Sequence, residues 1–140
     1  MTFYNCSNLV LKSLDNLTNL DTIEVQAFLG CENMALESLP ESLKRIQSHA
    51  FGYCNELKLK SLPDKLWMIE DHAFVCCTNL ALESLSKSLK TIGKEAFQDC
   101  KKLKLRSLPD GLGFIAANAF EGCEPPILKL VSDWRSKRVP

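Results

Sequence analysis

The stretch LKLKSLPDKLWMIEDHAFVCC, from Leu57 to Cys77, decides the fold, because its skeleton returns along the chain at a constant interval. That skeleton is L-x-L-x-S-L-P-x-x-L-x-x-I-x-x-x-A-F-x-x-C, carried here by Leu57, Leu59, Ser61, Leu62, Pro63, Leu66, Ile69, Ala73, Phe74 and Cys77. The Ala-Phe pair recurs at Ala27-Phe28, Ala50-Phe51, Ala73-Phe74, Ala96-Phe97 and Ala119-Phe120, in steps of 23 residues. Cysteine follows at Cys31, Cys54, Cys77, Cys100 and Cys123 with the same step. A strict period of about 20 to 50 residues is the mark of a solenoid, in which each repeat is one coil that buries its apolar side against its neighbours.

Working outward, the first unit holds Cys6, Leu9, Leu11, Ser13, Leu14, Ile23, Ala27 and Phe28, with two extra residues between Leu14 and Ile23 and Asp15 in place of proline. Such irregularity suits a terminal unit, so residues 1–31 are read as an N-terminal capping repeat. Residues 32–123 are the regular coils, and residues 124–140 read as a degenerate C-terminal repeat and tail, all within one domain. In that last segment Pro125 and Pro126 lead into Ile127, Leu128, Leu130, Val131 and Trp134, then a basic run from Arg135 to Arg138. These apolar residues either cover the open end of the last coil or meet a further repeat of a longer protein.

Within a unit, the alternation Leu57, Leu59, Ser61 has the period of two of a short strand with one face buried. Pro63 ends it, having no N–H to donate and a fixed φ. Leu66 and Ile69 carry the chain across a second, extended side. Ala73, Phe74 and Cys77 have the spacing of a single helical or 3-10 turn that points Phe and Cys inward. Stacked coils then give a parallel sheet of at least five short strands and a central column of phenylalanine rings, each worth about 1.5 to 3 kcal/mol on burial.

Composition narrows the function. The 140 residues are 46% hydrophobic and 24% charged, the balance of a soluble globular chain. Seventeen basic residues against seventeen acidic ones give a formal net charge of zero, which speaks against nucleic acid or an anionic membrane as partner. No run approaches the roughly 18 apolar residues of a membrane span, and Met1-Thr2-Phe3-Tyr4-Asn5 has no basic region followed by an apolar run, so neither membrane insertion nor a signal peptide is expected. A signal or anchor in another part of a longer protein stays open.

Five of the seven cysteines share one repeat position. Equivalent side chains on neighbouring coils are parallel and about 4.8 Å apart, a poor fit to disulfide geometry, so a buried ladder of reduced thiols is expected, with disulfide stapling or metal binding as the alternatives. Cys76 falls in the column Gly30, Tyr53, Asp99, Gly122 and is expected nearer solvent.

In a solenoid, function is read down columns. Lys12, Glu37, Lys60, Glu83 and Arg106 alternate in sign at every coil, and the neighbouring column reads Val10, Ala35, Lys58, Ala81, Lys104. Alternate coils therefore resemble each other more than adjacent ones do. The column is either a cross-strand ion-pair ladder along the exposed sheet or a ligand-binding face for a polar or mixed-charge partner. Gln26, His49, His72, Glu95 and Asn118 form a second column. His49, His72 and Glu95 are a legitimate but weak metal-ligand set, because parallel side chains do not converge; the expectation is no metal and no cofactor.

Trp67 stands where other coils have Lys44, Lys90 and Gly113, while Met68 and Phe114 replace Arg45 and Thr91 in the next column. Trp67, Met68 and Phe114 either form an exposed apolar contact patch or tuck over the edges of their coils. Catalysis finds no support: there is no Ser-His-acid arrangement or glycine-rich phosphate loop, and both histidines occupy one repeat position, so the chain is not expected to be an enzyme. Ser38, Ser61, Ser84 and Ser107 are copies of one structural position. Asn5-Cys6-Ser7 and Asn16-Leu17-Thr18 fit the glycosylation sequon, which matters only in a secretory eukaryotic context.

The run Leu62-Pro63-x-x-Leu66-x-x-Ile69-x-x-x-Ala73-Phe74-x-x-Cys77-x-x-Leu80 resembles the BspA-like class of leucine-rich repeat over all five units, about residues 6 to 123, although Leu59 follows Leu57 by two residues where the class commonly has three. The resemblance implies a leucine-rich-repeat solenoid at the cell surface or secreted, acting as an adhesin or receptor-like module that binds a protein; a cytoplasmic location also stays open. The expected function is a non-catalytic protein-interaction or adhesion module using its solenoid face. A structural spacer within a longer surface or phage-tail protein is the alternative. Uncovered terminal coils would also allow end-to-end self-association.

Overall fold

In a computed structural model, described here over residues 2–138, the coils stack in register. Each contributes a two-residue strand: β1 (Thr22–Ile23), β2 (Arg45–Ile46), β3 (Met68–Ile69), β4 (Thr91–Ile92) and β5 (Phe114–Ile115). They form one parallel sheet in sequential order, with Ile23, Ile46, Ile69, Ile92 and Ile115 paired in a row. Isoleucine points inward and its predecessor outward, which is the alternation a half-buried strand requires.

The strands therefore lie on the isoleucine side and not at Leu57-Leu59-Ser61. Along the Leu-x-Leu side the leucines are buried, as the alternation predicts, yet the coils are joined there more sparsely. The bond runs from the Glu37 N–H to the Lys12 carbonyl, then from Lys58 to Leu36, from Glu83 to Lys60 and from Lys104 to Leu82. The geometry alternates from one coil to the next, in step with the alternation of side chains. Among the described residues the pairing reaches bridge geometry on this side only between Ser13 and Ser38.

The third side is the turn around Ala-Phe-x-x-Cys. Its N–H groups alternate between two kinds of acceptor. Those of His49, Phe51 and Tyr53 donate to Asp71, Ala73 and Val75 in the next coil, while those of Ala50, Gly52 and Cys54 close turns onto residues three back. This alternation needs left-handed backbone at two positions per coil. Gln26, His49, His72, Glu95 and Asn118 have φ of 54–60°, and Gly30, Tyr53, Cys76, Asp99 and Gly122 have φ of 56–77°. Only glycine takes such values without cost, with Asn and Asp next best. A side chain on Gly122 would also run into Asp99.

Inside, the rings of Phe28, Phe51, Phe74, Phe97 and Phe120 stack at 5.2–5.4 Å between centroids, within 9° of parallel. A sixth ring, Phe3, lies on Phe28 at 5.4 Å. Phe3-x-x-Cys6 thus matches Phe28-x-x-Cys31, and the two extra residues between Leu14 and Ile23 hide it from a search at the regular step. The Phe3 and Asn5 N–H groups donate to Ala27 and Leu29, so this partial coil covers the turn side of the first full one.

At the other end the expected decayed repeat is a helix, α1 (Pro125–Ser136). The two prolines that break the coil pattern occupy its first turn, where a missing N–H costs nothing. Ile127 and Val131, four apart on one helical face, are buried on the core, with Leu130 and Trp134 packed beside them.

Candidate interaction faces

The cysteine ladder is structural. All seven cysteines are free thiols, and Cys31, Cys54, Cys77, Cys100 and Cys123 are buried. Each donates its S–H to the carbonyl oxygen of a phenylalanine in the preceding coil (Phe3, Phe28, Phe51, Phe74 and Phe97 in turn) at 2.9–3.2 Å. Burial pushes the thiols of Cys54 and Cys123 up to about 12 and those of Cys77 and Cys100 well above the ordinary value. A thiol held protonated lacks the thiolate that acts as a nucleophile. Cys76 is half-buried beside Asp99, its thiol also raised, first by burial and then by the Asp99 carboxylate.

The histidine column combines one ring stack and one side-chain hydrogen bond. His49 and His72 stack at 4.6 Å within 7° of parallel, and His72 Nε2 lies 2.7 Å from Glu95 Oε2. Stacked rings aim their nitrogens side by side. Among the described residues no group of three or more His, Cys, Asp or Glu side chains is disposed to hold a metal ion.

The charged column departs from the ion-pair ladder that is one reading of the sequence. Lys12, Glu37, Lys60, Glu83 and Arg106 are all exposed, and among the described residues none of the ion pairs joins one to the next. An exposed pair gains only about 0–1 kcal/mol and costs side-chain entropy, so parallel arms stay in water. Ion pairs sit elsewhere, as in Arg45–Glu70 at 2.8 Å.

The three apolar outliers divide. Met68 and Phe114 project from β3 and β5 with the shorter Thr91 of β4 between them, and together they flank a groove of about 330 Å³. Ser48, Glu70, Asp71 and Gly93 complete its walls and floor. Phe114 is 57% exposed. Trp67, 38% exposed, precedes β3 and is outside this groove, its backbone tied to Lys44 and Lys90.

Gly93, which lines the groove, has a structural role that the sequence reading missed. In its column, Gln47 Oε1 and Glu70 Oε2 each accept the N–H of a residue in the coil before, Val25 and Ser48. Glycine cannot continue that series, and Asp71 Oδ1 instead reaches forward to the Lys94 N–H at 2.8 Å. Any side chain at position 93 would run into the backbone of Glu70 and Asp71 in the coil before, so glycine is what lets the two coils approach there. A lone glycine in the column Glu24, Gln47, Glu70, Ala116 was the available signal.

Residues 1–126 match, in six copies, the family described as BspA type leucine rich repeat region. No curated protein matches the chain. Among solved structures it is similar to a leucine-rich repeat protein from Bacteroides ovatus ATCC 8483, at 26% identity and a TM-score of 0.55 over 85% of this chain. The similarity spans only 36% of that protein's length.

Proposed function

The chain belongs to the BspA-type leucine-rich-repeat family, whose repeats serve in general as protein-interaction modules and are typically carried by surface proteins, and we propose that it is a non-catalytic adhesion or protein-binding module. The observation that carries the reading is the groove between Met68 and Phe114. An aromatic ring left 57% exposed beside a methionine and an open pocket is costly unless a partner covers it. The ligand inserts an apolar side chain over Thr91 and Gly93 while Asp71 offers a carboxylate oxygen at the rim, the Glu70 carboxylate being held by Arg45 and the Ser48 N–H. Members of the family act at surfaces, and this chain is proposed to act there too.

The test compares wild-type protein with Met68→Ser and Phe114→Ser as immobilised bait against surface extracts, with titration of any captured protein in purified form. The expected result is a partner held by wild type and lost at least tenfold by either variant, with thermal unfolding shifted little, because both side chains lie outside the core. Equal binding by all three would overturn the assignment of the groove. The similar structure from Bacteroides ovatus is nearly three times longer than the matched span, which favours a second reading, a spacer coil set in a longer array. That reading predicts no partner for any of the three baits.

A further inference from the structure

We propose that the alternating column is a self-recognition surface, through which two copies of this chain associate side by side with their solenoid axes antiparallel. The column presents +, −, +, −, + at Lys12, Glu37, Lys60, Glu83 and Arg106. All five side chains are exposed and make no ion pair with one another, so their charges are free to meet a second surface.

Which surface complements this one follows from symmetry. A two-fold interface brings the same patch of both copies together. If the solenoid axes are parallel, each coil faces itself and every contact sets like charge on like. If they are antiparallel about a two-fold axis at the third coil, Lys60 faces Lys60 and Glu37 faces Glu83, again like on like. With the axis between the third and fourth coils, Lys60 meets the Glu83 of the second copy and Glu37 meets its Arg106, so four ion pairs form at once.

The neighbouring column selects the same arrangement by size. It reads Ala35, Lys58, Ala81, Lys104 from the second coil to the fifth. In that register Lys58 lies against the second copy's Ala81, and Lys104 against its Ala35, so each long aliphatic stem covers a short side chain. Moving the axis by one coil, to between the second and third, keeps charge opposition but sets Val10 against Ala81 and forfeits one Lys-on-Ala contact on each copy. The next column outward, Asn33, Glu56, Asn79 and Lys102, brings no like charges together in the favoured register. The surface is small and its pairs are solvent-exposed, so the dimer is weak, salt-sensitive and specific in register.

Sedimentation equilibrium of the wild-type chain and its charge reversals tests this. Wild type is expected to dimerise reversibly at low ionic strength and to dissociate at about 1 M salt, where the screening length falls to about 3 Å. Lys60→Glu alone and Glu83→Lys alone should each weaken the dimer about tenfold or more, since each turns two attractions into repulsions. An equimolar mixture of the two variants should recover it, because the carboxylate introduced at position 60 of one then meets the ammonium introduced at position 83 of the other. Glu37→Lys mixed with Arg106→Glu should recover it in the same way. A wild type that stays monomeric at low salt, association that ignores these reversals, or rescue by Glu37→Lys mixed with Lys60→Glu would each overturn the proposal; the last would place the axis one coil away.

Discussion

The Cys77 thiol donates to the carbonyl oxygen of Phe51 at 3.0 Å, and the Cys54 N–H donates to the same oxygen at 3.2 Å. A residue of one coil thus completes the hydrogen bonding of a turn in the coil before it. Cysteine suits the place: small and apolar enough for the core, with a weak donor on its tip. Cys77→Ala removes the donor and leaves a small void, and is expected to cost about 1–2 kcal/mol in urea unfolding. A variant as stable as wild type would show that this bond contributes nothing net.

The buried thiols make the fold alkali-labile. Their folded values lie above the ordinary 9.0, at about 12 for Cys54 and Cys123, so the unfolded chain releases protons that the folded chain retains. The stability they contribute is complete below pH 9.0 and is lost as pH rises toward about 12. Denaturation midpoints across that range should fall, and should fall less in Cys54→Ala.

The ring column carries much of the core. Phe74 is wholly buried and stacks on Phe51 and Phe97 at 5.4 and 5.2 Å. Phe74→Ala is expected to cost about 3–5 kcal/mol. Phe3→Ala, at the end of the stack with one face covered, should cost less. Calorimetry of both variants checks the order.

Acid should weaken the histidine row. Burial first, and then the stacked His72 ring, hold His49 below its ordinary 6.5, against an opposing pull from Asp71. The unfolded chain therefore takes up a proton before the folded one does. The contribution is full above pH 6.5 and declines as pH falls through the folded value. His49→Asn keeps a residue tolerant of the φ of 59° and removes the titration, so its unfolding midpoint should vary less with pH on the acid side.

Much of this architecture was readable in advance, and the parts that were not have a physical reason. Repetition of Ala-Phe-x-x-Cys at one step locates the stacked interior, since only a residue with the same surroundings in every coil recurs so strictly. The strands were harder to place. Leu57 and Leu59 show which side chains point inward, but a strand depends on consecutive bonds between coils, and those are continuous at Ile69 and intermittent at Leu59. The left-handed positions were masked because His49, His72, Tyr53 and Cys76 are poor markers of positive φ, and Gly30, Gly122 and Asn118 are good ones scattered among them. For the candidate site, Met68 and Phe114 stood out as apolar residues in polar columns. Gly93 did not, since a close approach between the backbones of two coils leaves no mark on the sequence of either beyond the glycine itself.

The alternating bonds on the leucine side have a bearing on how such a molecule changes size. Lys58 in the third coil reaches back to Leu36 in the second, whereas Glu83 in the fourth reaches back to Lys60 in the third, so a coil of one kind is fitted only to a predecessor of the other. Excising a single coil would bring two of the same kind together, with donor and acceptor one residue out of step. Excising a couplet would leave every junction as it was. The couplet is therefore the unit that can be added or removed with every junction kept, and engineered length variants that differ by an even number of coils should fold better than those that differ by an odd number.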